Sequence, residues 1–204
     1  HGTQAHGASP WSGVDPIVTS AQIITGLQTI LSRSVNVTEN PAVVTVGAIH
    51  GGIRHNIIPE KVELIGTIRT FGDEQQALVH RRINTIATNI AESAGAKAEV
   101  TITKLYPSTV NDEALTATML PSLAAAAGKE NLILMDPMTG SEDFSFFQKE
   151  KPGVFVFLGG MKPGADPLKT PSHHTPDFYL DESGFTLGVR ALSYLVVDYM
   201  GMKK

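Results

Sequence analysis

From Val43 to Phe71 the chain reads VVTVGAIHGGIRHNIIPEKVELIGTIRTF, two extended apolar runs joined by a polar, glycine-bearing connection. In the second run Val62, Leu64, Gly66 and Ile68 alternate with Glu63, Ile65, Thr67 and Arg69. A period of two sends one set to a core and the other to water or a cleft. The pattern predicts a hairpin with Arg69 on the face away from Val62, Leu64 and Ile68. Two amphipathic patterns flank it. Asp15 caps the first, Pro16 opens it, and Ile17, Ala21, Ile24, Leu27 and Leu31 recur at steps of three and four, predicting one apolar helix face. Asp73 caps the second, whose stripe is Val79, Ile83, Ile86 and Ile90 and whose end is Gly95. Lys97 to Leu105 then alternates Val100 and Ile102 with Thr101 and Thr103, a predicted strand. The order is helix, strand, strand, helix, strand. One strand ahead of residue 1 would complete the β-α-β-β-α-β pattern of a ferredoxin-like unit, so the chain reads as a piece of a longer protein.

Past Tyr106-Pro107 the pattern changes. Asp112 to Ala127 predicts a helix, Leu132 to Met135 a short apolar strand, and Ser141-Glu142-Asp143-Phe144 a helix start with acids in its first turn. Val154 to Leu158 reads as a buried strand. A proline- and glycine-rich loop from Gly159 to Ser172 delivers His173 and His174, and Asp181 caps a last helix to about Tyr199. Helices alternating with buried strands read as one side of an α/β sandwich. The fold class is therefore mixed α/β, with a domain boundary near residues 107–112.

Composition narrows the function classes. The 204 residues are 42% hydrophobic and 18% charged, which suits a globular protein with a core, and the net charge of −4 gives no reason to expect a nucleic-acid partner. The absence of cysteine excludes disulfides and thiolate metal sites. No apolar run approaches the ~20 residues of a membrane helix. The expected location is the cytoplasm.

Three clusters carry candidate chemistry. His6 lies in the loop His1-Gly2-Thr3-Gln4-Ala5-His6-Gly7-Ala8-Ser9-Pro10, where an accessible imidazole can donate to a developing oxyanion; on spacing alone, a solvated loop histidine is the stronger reading. Arg69 on an open sheet face can grip a carboxylate with two parallel hydrogen bonds, and Asn56 sits in the connection; a turn asparagine and a surface arginine are an equal reading. Glu142-Asp143 and His173-His174 supply the carboxylate and imidazole that a zinc or manganese site requires, or else a helix-start acid and a loop histidine pair.

Taken together in order, HGTQAHGASPWSGVDPI, NIIP, GTIRTF, SEDFSFF, PGVFVFLGG and HHTPDFYLDESGF resemble the aminoacylase/carboxypeptidase clan of dinuclear metal amidohydrolases. The nearest branch is that of hippurate hydrolases, indole-acetyl-amino-acid hydrolases and N-acyl-amino-acid deacylases. The resemblance implies a ferredoxin-like lid or dimerisation domain over residues 1–107, and the C-terminal half of a zinc-peptidase-like α/β sandwich catalytic domain over 108–204. It implies that His6 steadies the tetrahedral intermediate in the partner subunit's site, that Asn56 and Arg69 bind the substrate carboxylate, that Glu142 is the acid near the metals, and that His174 is a metal ligand. It also implies a homodimer, a small N-acyl amino acid as substrate, and a pair of divalent metals such as zinc, manganese, cobalt or nickel.

The chain departs from that family in one respect. The family's early Cys-x-His or His-x-Asp ligands, its Glu-Glu pair and one further histidine have no counterpart here. With His174 as the sole matched ligand, the expectation is that this chain alone holds no dinuclear site and cleaves no amide. Geometry adds a constraint: Lys61 to Arg69 spans roughly 26 Å as a strand, so Asn56 and Arg69 cannot hold one small carboxylate within one subunit unless the connection folds back. The competing reading is a non-catalytic module that dimerises through a sheet edge, or binds amino-acid-like anions.

Overall fold

The structure, a computed structural model, describes residues 1–202. The chain forms two compact units, one of His1–Ser108 with Met138–Ser141 and one of Thr109–Pro137 with the chain from Glu142 onward.

The first unit is built on a two-stranded antiparallel ladder, β2 (Val43–Gly51) against β4 (Val62–Arg69). Its register pairs Val43 with Arg69, Thr45 with Thr67, and His50 with Glu63. One residue, Gly47, is extra on β2, where the register shifts between Val46 and Ala48. Such a bulge bends a strand and raises its twist. Gly66 lies opposite Val46, and a Cβ there would strike the Thr45 carbonyl oxygen, so the bulge needs a residue without a side chain on its partner strand. A second short ladder pairs β1 (Ala5–His6) with β3 (Ile57–Ile58).

Helices α1 (Pro16–Arg33) and α2 (Asp73–Ser93) cover one face of the β2–β4 ladder. The Asp15 carboxylate starts α1 by accepting from the Ile17 N–H at 2.8 Å and the Val18 N–H at 3.3 Å. The core joins Ile23, Leu27 and Ile30 of α1, Val44 of β2, and Val79, Ile83 and Ala87 of α2, with Leu64 and Ile68 of β4 packed against it. The expected apolar face of α1 is met in part. Leu27 is buried, Leu31 packs half-buried against the core and Ile24 is half-buried, whereas Ile17 and Ala21 are exposed, and the buried stripe includes Thr19, Ser20, Ile23, Leu27 and Ile30. The reason is contact with α2: a Cβ on Gly26 would lie 2.7 Å from Ile90 Cδ1 and 3.0 Å from Ile86 Cγ2. The bare turn at Gly26 decides which side of α1 faces its neighbour, and Ile17 is left 43% exposed. On α2, burial and the nearby Lys104 ammonium hold the His80 imidazole below its ordinary pKa.

The expected strand at Lys97–Leu105 is extended but makes no ladder. Ala98, Val100 and Ile102 pack on the core while Lys97, Glu99, Thr101 and Thr103 stay exposed, so the alternation has its usual packing consequence. What is missing is a hydrogen-bonding neighbour, because among the described residues no strand lies alongside it. Its first residue does exchange backbone bonds with His1, Lys97 N–H to His1 O at 2.9 Å and the His1 amine to Lys97 O at 2.7 Å.

The second unit contains α3 (Glu113–Ala127), α4 (Phe144–Glu150) and α5 (Phe185–Gly201). Asp112 caps α3 by accepting from Leu115 N–H at 2.7 Å, and α3 packs on α5. The predicted strands at Leu132–Met135 and Val154–Leu158 form no ladder either, and Leu134 is fully exposed. A strand is made by its partner, and the nearest substitute is a side chain: Asn111 accepts from Phe155 N–H at 2.7 Å and donates to Phe155 O at 2.9 Å, as a neighbouring backbone would. On α5 no residue is buried, and Val189, Leu192, Val196, Val197 and Met200 are all exposed.

Candidate functional site

The loop that carries His6 is closed at both ends. Thr3 and Val14 pair across it, Thr3 N–H to Val14 O at 2.9 Å and Val14 N–H to Thr3 O at 3.0 Å. Gly13 sits where a Cβ would lie 2.5 Å from Thr3 O and 2.7 Å from Ala5 Cβ, so this closure requires glycine. The loop is then fastened to the connection between β2 and β4. Gly2 N–H donates to Glu60 O at 2.8 Å, and Ala5 and His6 pair with Ile58 and Ile57. Gly7 N–H donates to Asn56 O at 2.8 Å, and a Cβ on Gly7 would lie 3.1 Å from the Asn56 carbonyl. His6 and Asn56 thereby come together at one end of the unit, both exposed. The imidazole is oriented within its own turn: Ala8 N–H donates to His6 Nδ1 at 3.0 Å, and Ser9 N–H to His6 O at 2.8 Å.

Arg69 stands at the opposite end of the β2–β4 ladder, on the face away from the core, beside Thr67. Its guanidinium donates through Nη1 to Thr67 Oγ1 at 2.6 Å and to Ile68 O at 3.1 Å. Those bonds leave the remaining guanidinium N–H groups available to an anion. β4 alone runs roughly 23 Å from Val62 to Arg69 at about 3.3 Å per residue, and Arg69 pairs with Val43 at the end of the ladder away from the β2–β4 connection that carries Asn56.

In the second unit, Glu142 is half-buried at the start of α4. Its carbonyl accepts from the Ser145 hydroxyl at 2.7 Å, and its carboxylate from Phe144 N–H at 3.4 Å. His174 is exposed with φ of +64°, the left-handed region that non-glycine residues rarely occupy. The neighbouring His173 ring stacks on Phe178 with centroids 4.7 Å apart. Among the described residues no three His, Asp or Glu side chains gather where they could hold a metal ion. This chain's own donor set therefore does not fit a metal pair, and Glu142 and His174 do not by themselves make a centre.

Two features of the site escape a reading of the sequence. A two-residue ladder has no periodicity, so β1–β3 leaves no pattern, although Gly7, next to His6, is the trace of the close approach to Asn56. The bond from the Ala8 N–H to the His6 ring is local turn geometry that no residue type announces.

The chain spans about half, or less, of the length of the proteins it matches. Over 158 residues it is 40% identical to the N-acetyl-L-cysteine deacetylase of Bacillus subtilis, covering 78% of this chain and 37% of that one. Over 203 residues it is 32% identical to the IAA-amino acid hydrolase ILR1-like 4 of Arabidopsis thaliana, covering 98% and 46%. Among solved structures, a dinuclear metal binding peptidase of the M20 family from Bacillus subtilis superposes with a TM-score of 0.68 at 30% identity, covering 96% of this chain and 48% of that one. A single family model spans residues 6–198, from the His6 turn through most of α5, and so takes in all five candidate residues. On that span and those identities, the chain belongs to peptidase family M20/M25/M40.

Proposed function

We propose that this chain is part of a metal-dependent amidohydrolase that cleaves the amide bond of N-acyl amino acids or related small conjugates. The observation that carries the reading is the Gly7–Asn56 backbone bond, which sets an exposed, oriented imidazole beside an asparagine at a rigid corner of a chain matched by the family over 6–198. The names of two relatives, a deacetylase of N-acetyl-L-cysteine and a hydrolase of indole-acetyl amino acids, support an acyl amino acid as the substrate class. In this reading residues 1–107 are a ferredoxin-like lid and dimerisation domain, and 108–204 belong to a zinc-peptidase-like catalytic domain. The unladdered strands and the exposed apolar face of α5 support the second assignment, since both need neighbours to bury them.

The residues of this chain take the following roles. His6 donates a hydrogen bond to the oxygen that becomes negative as the amide carbon turns tetrahedral. Arg69 reads the free carboxylate through its remaining guanidinium N–H groups. Within one protomer the two residues serve different sites; in a homodimer the Arg69 end of one protomer and the His6 end of its partner serve the same one. Glu142 and His174 would contribute to holding a pair of divalent ions, whose chemistry when bound would be to activate water, with most of the ligands coming from residues other than these.

Replacing Arg69 with Ala in the longer protein is expected to raise KM for an N-acyl amino acid with little change in kcat, the signature of lost carboxylate binding. An unchanged KM removes the assigned role. The second reading, a dimerising module without catalysis, is favoured by the outer edge of β2, which has no ladder partner among the described residues. Sedimentation separates it: a metal-independent dimer of this chain, joined to a longer protein that turns over no acyl amino acid, would establish the module.

A further inference from the structure

We propose that the backbone N–H of Ala8 locks His6 in its Nε2–H tautomer, so that His6 works as a hydrogen-bond donor through Nε2 and not as a base or a metal ligand. The role in turnover rests on the amidohydrolase reading above; the tautomer does not. The Ala8 N–H lies 3.0 Å from His6 Nδ1, and a ring nitrogen that accepts a hydrogen bond cannot also carry a proton. In the neutral ring the proton is therefore on Nε2.

The turn is built to hold this arrangement. Ser9 N–H closes onto His6 O at 2.8 Å, the Ser12 hydroxyl onto Ser9 O at 2.8 Å, and Gly7 N–H onto Asn56 O at 2.8 Å. The ring can rotate away from Ala8 only by giving up its one fixed partner. A histidine set up as a general base has the reverse pattern: Nδ1 carries the proton and gives it to a carbonyl or carboxylate, leaving a lone pair on Nε2. His6 has a donor, not an acceptor, against Nδ1. Its free atom is an N–H on an exposed ring, the group an oxyanion calls for. The Ala8 amide is thus a positioning group that acts through His6.

The test is nitrogen NMR on protein uniformly labelled with the heavy nitrogen isotope, at about pH 8.5, well above an ordinary imidazole pKa. The expected result is a pyridine-type shift at His6 Nδ1, a pyrrole-type shift at Nε2, and a scalar coupling from the Ala8 amide nitrogen to Nδ1. A proton on Nδ1, or averaged shifts without the coupling, overturns the proposal. Turnover in the longer protein gives a separate readout. Gln at position 6 carries its amide N–H to where Nε2 sits, whereas Asn reaches only as far as Nδ1. His6→Gln is expected to keep turnover within about 10-fold, and His6→Asn to lose about 10²-fold or more at similar KM. Equal losses in the two variants overturn the Nε2 donor. Full turnover in both, with the coupling present, overturns the catalytic role of His6 and leaves the tautomer standing.

Discussion

Gly7 is the residue on which the geometry around His6 turns. Its N–H holds Asn56 O at 2.8 Å, and its missing side chain lets the two backbones meet. Gly7→Ala puts a carbon 3.1 Å from the Asn56 carbonyl, so the two segments must part by a few tenths of an ångström. The expected cost in stability is about 1 kcal/mol, with a loss of up to about 10²-fold in kcat in the longer protein, because a donor slightly out of place is nearly no donor. Denaturant midpoints and steady-state rates check the two parts, and a normal kcat shows that the Asn56 contact does not position His6. His174 shows the opposite economy. Its φ of +64° is a conformation that asparagine, aspartate and histidine adopt more readily than other non-glycine residues, at some cost relative to glycine.

At the scale of elements, the bare turn at Gly26 sets the first unit. It lets Ile86 and Ile90 of α2 press against the α1 backbone, and it turns Ile23, Leu27 and Ile30 toward Val44, Val79 and Ile83. Gly26→Leu places a branched side chain where even a Cβ is 2.7 Å from Ile90, which is expected to cost about 1–3 kcal/mol. Urea denaturation followed by circular dichroism measures it, and a variant as stable as the parent would mean that the helices separate freely. The Gly47 bulge works on the ladder in a similar way. By inserting one residue it changes the phase of β2, so that His50 meets Glu63 on the same outer face where Val43 meets Arg69.

At the scale of the molecule, apolar residues of α5 are exposed, and the segments at 97–105, 132–135 and 154–158 have no ladder partner among the described residues. No three metal-ligating side chains gather among the described residues. Incubation of this chain with zinc or manganese and an N-acyl amino acid is expected to give no turnover, because a hydrolytic metal needs several protein ligands to fix its geometry. A rate typical of an intact enzyme, read by release of the free amino acid, would show that these residues assemble a complete centre.

What the sequence settled by itself were the features whose causes are local. Asp15 and Asp112 cap their helices because a short acceptor side chain reaches the first free N–H groups, and the two-residue period of β4 puts Arg69 on the open face whatever packs behind it. The family could also be read, because its motifs are short runs held in order. The tertiary structure decided what depends on a distant partner. Only contact with α2 and the β2–β4 ladder chose the buried side of α1, and only the presence of a neighbour could turn the runs at 97–105, 132–135 and 154–158 into ladder strands. Only the crossing of two loops 50 residues apart brought His6 to Asn56. Periodicity tells each residue which way to face, but hydrogen bonds and close packing between segments far apart in sequence decide what it meets there.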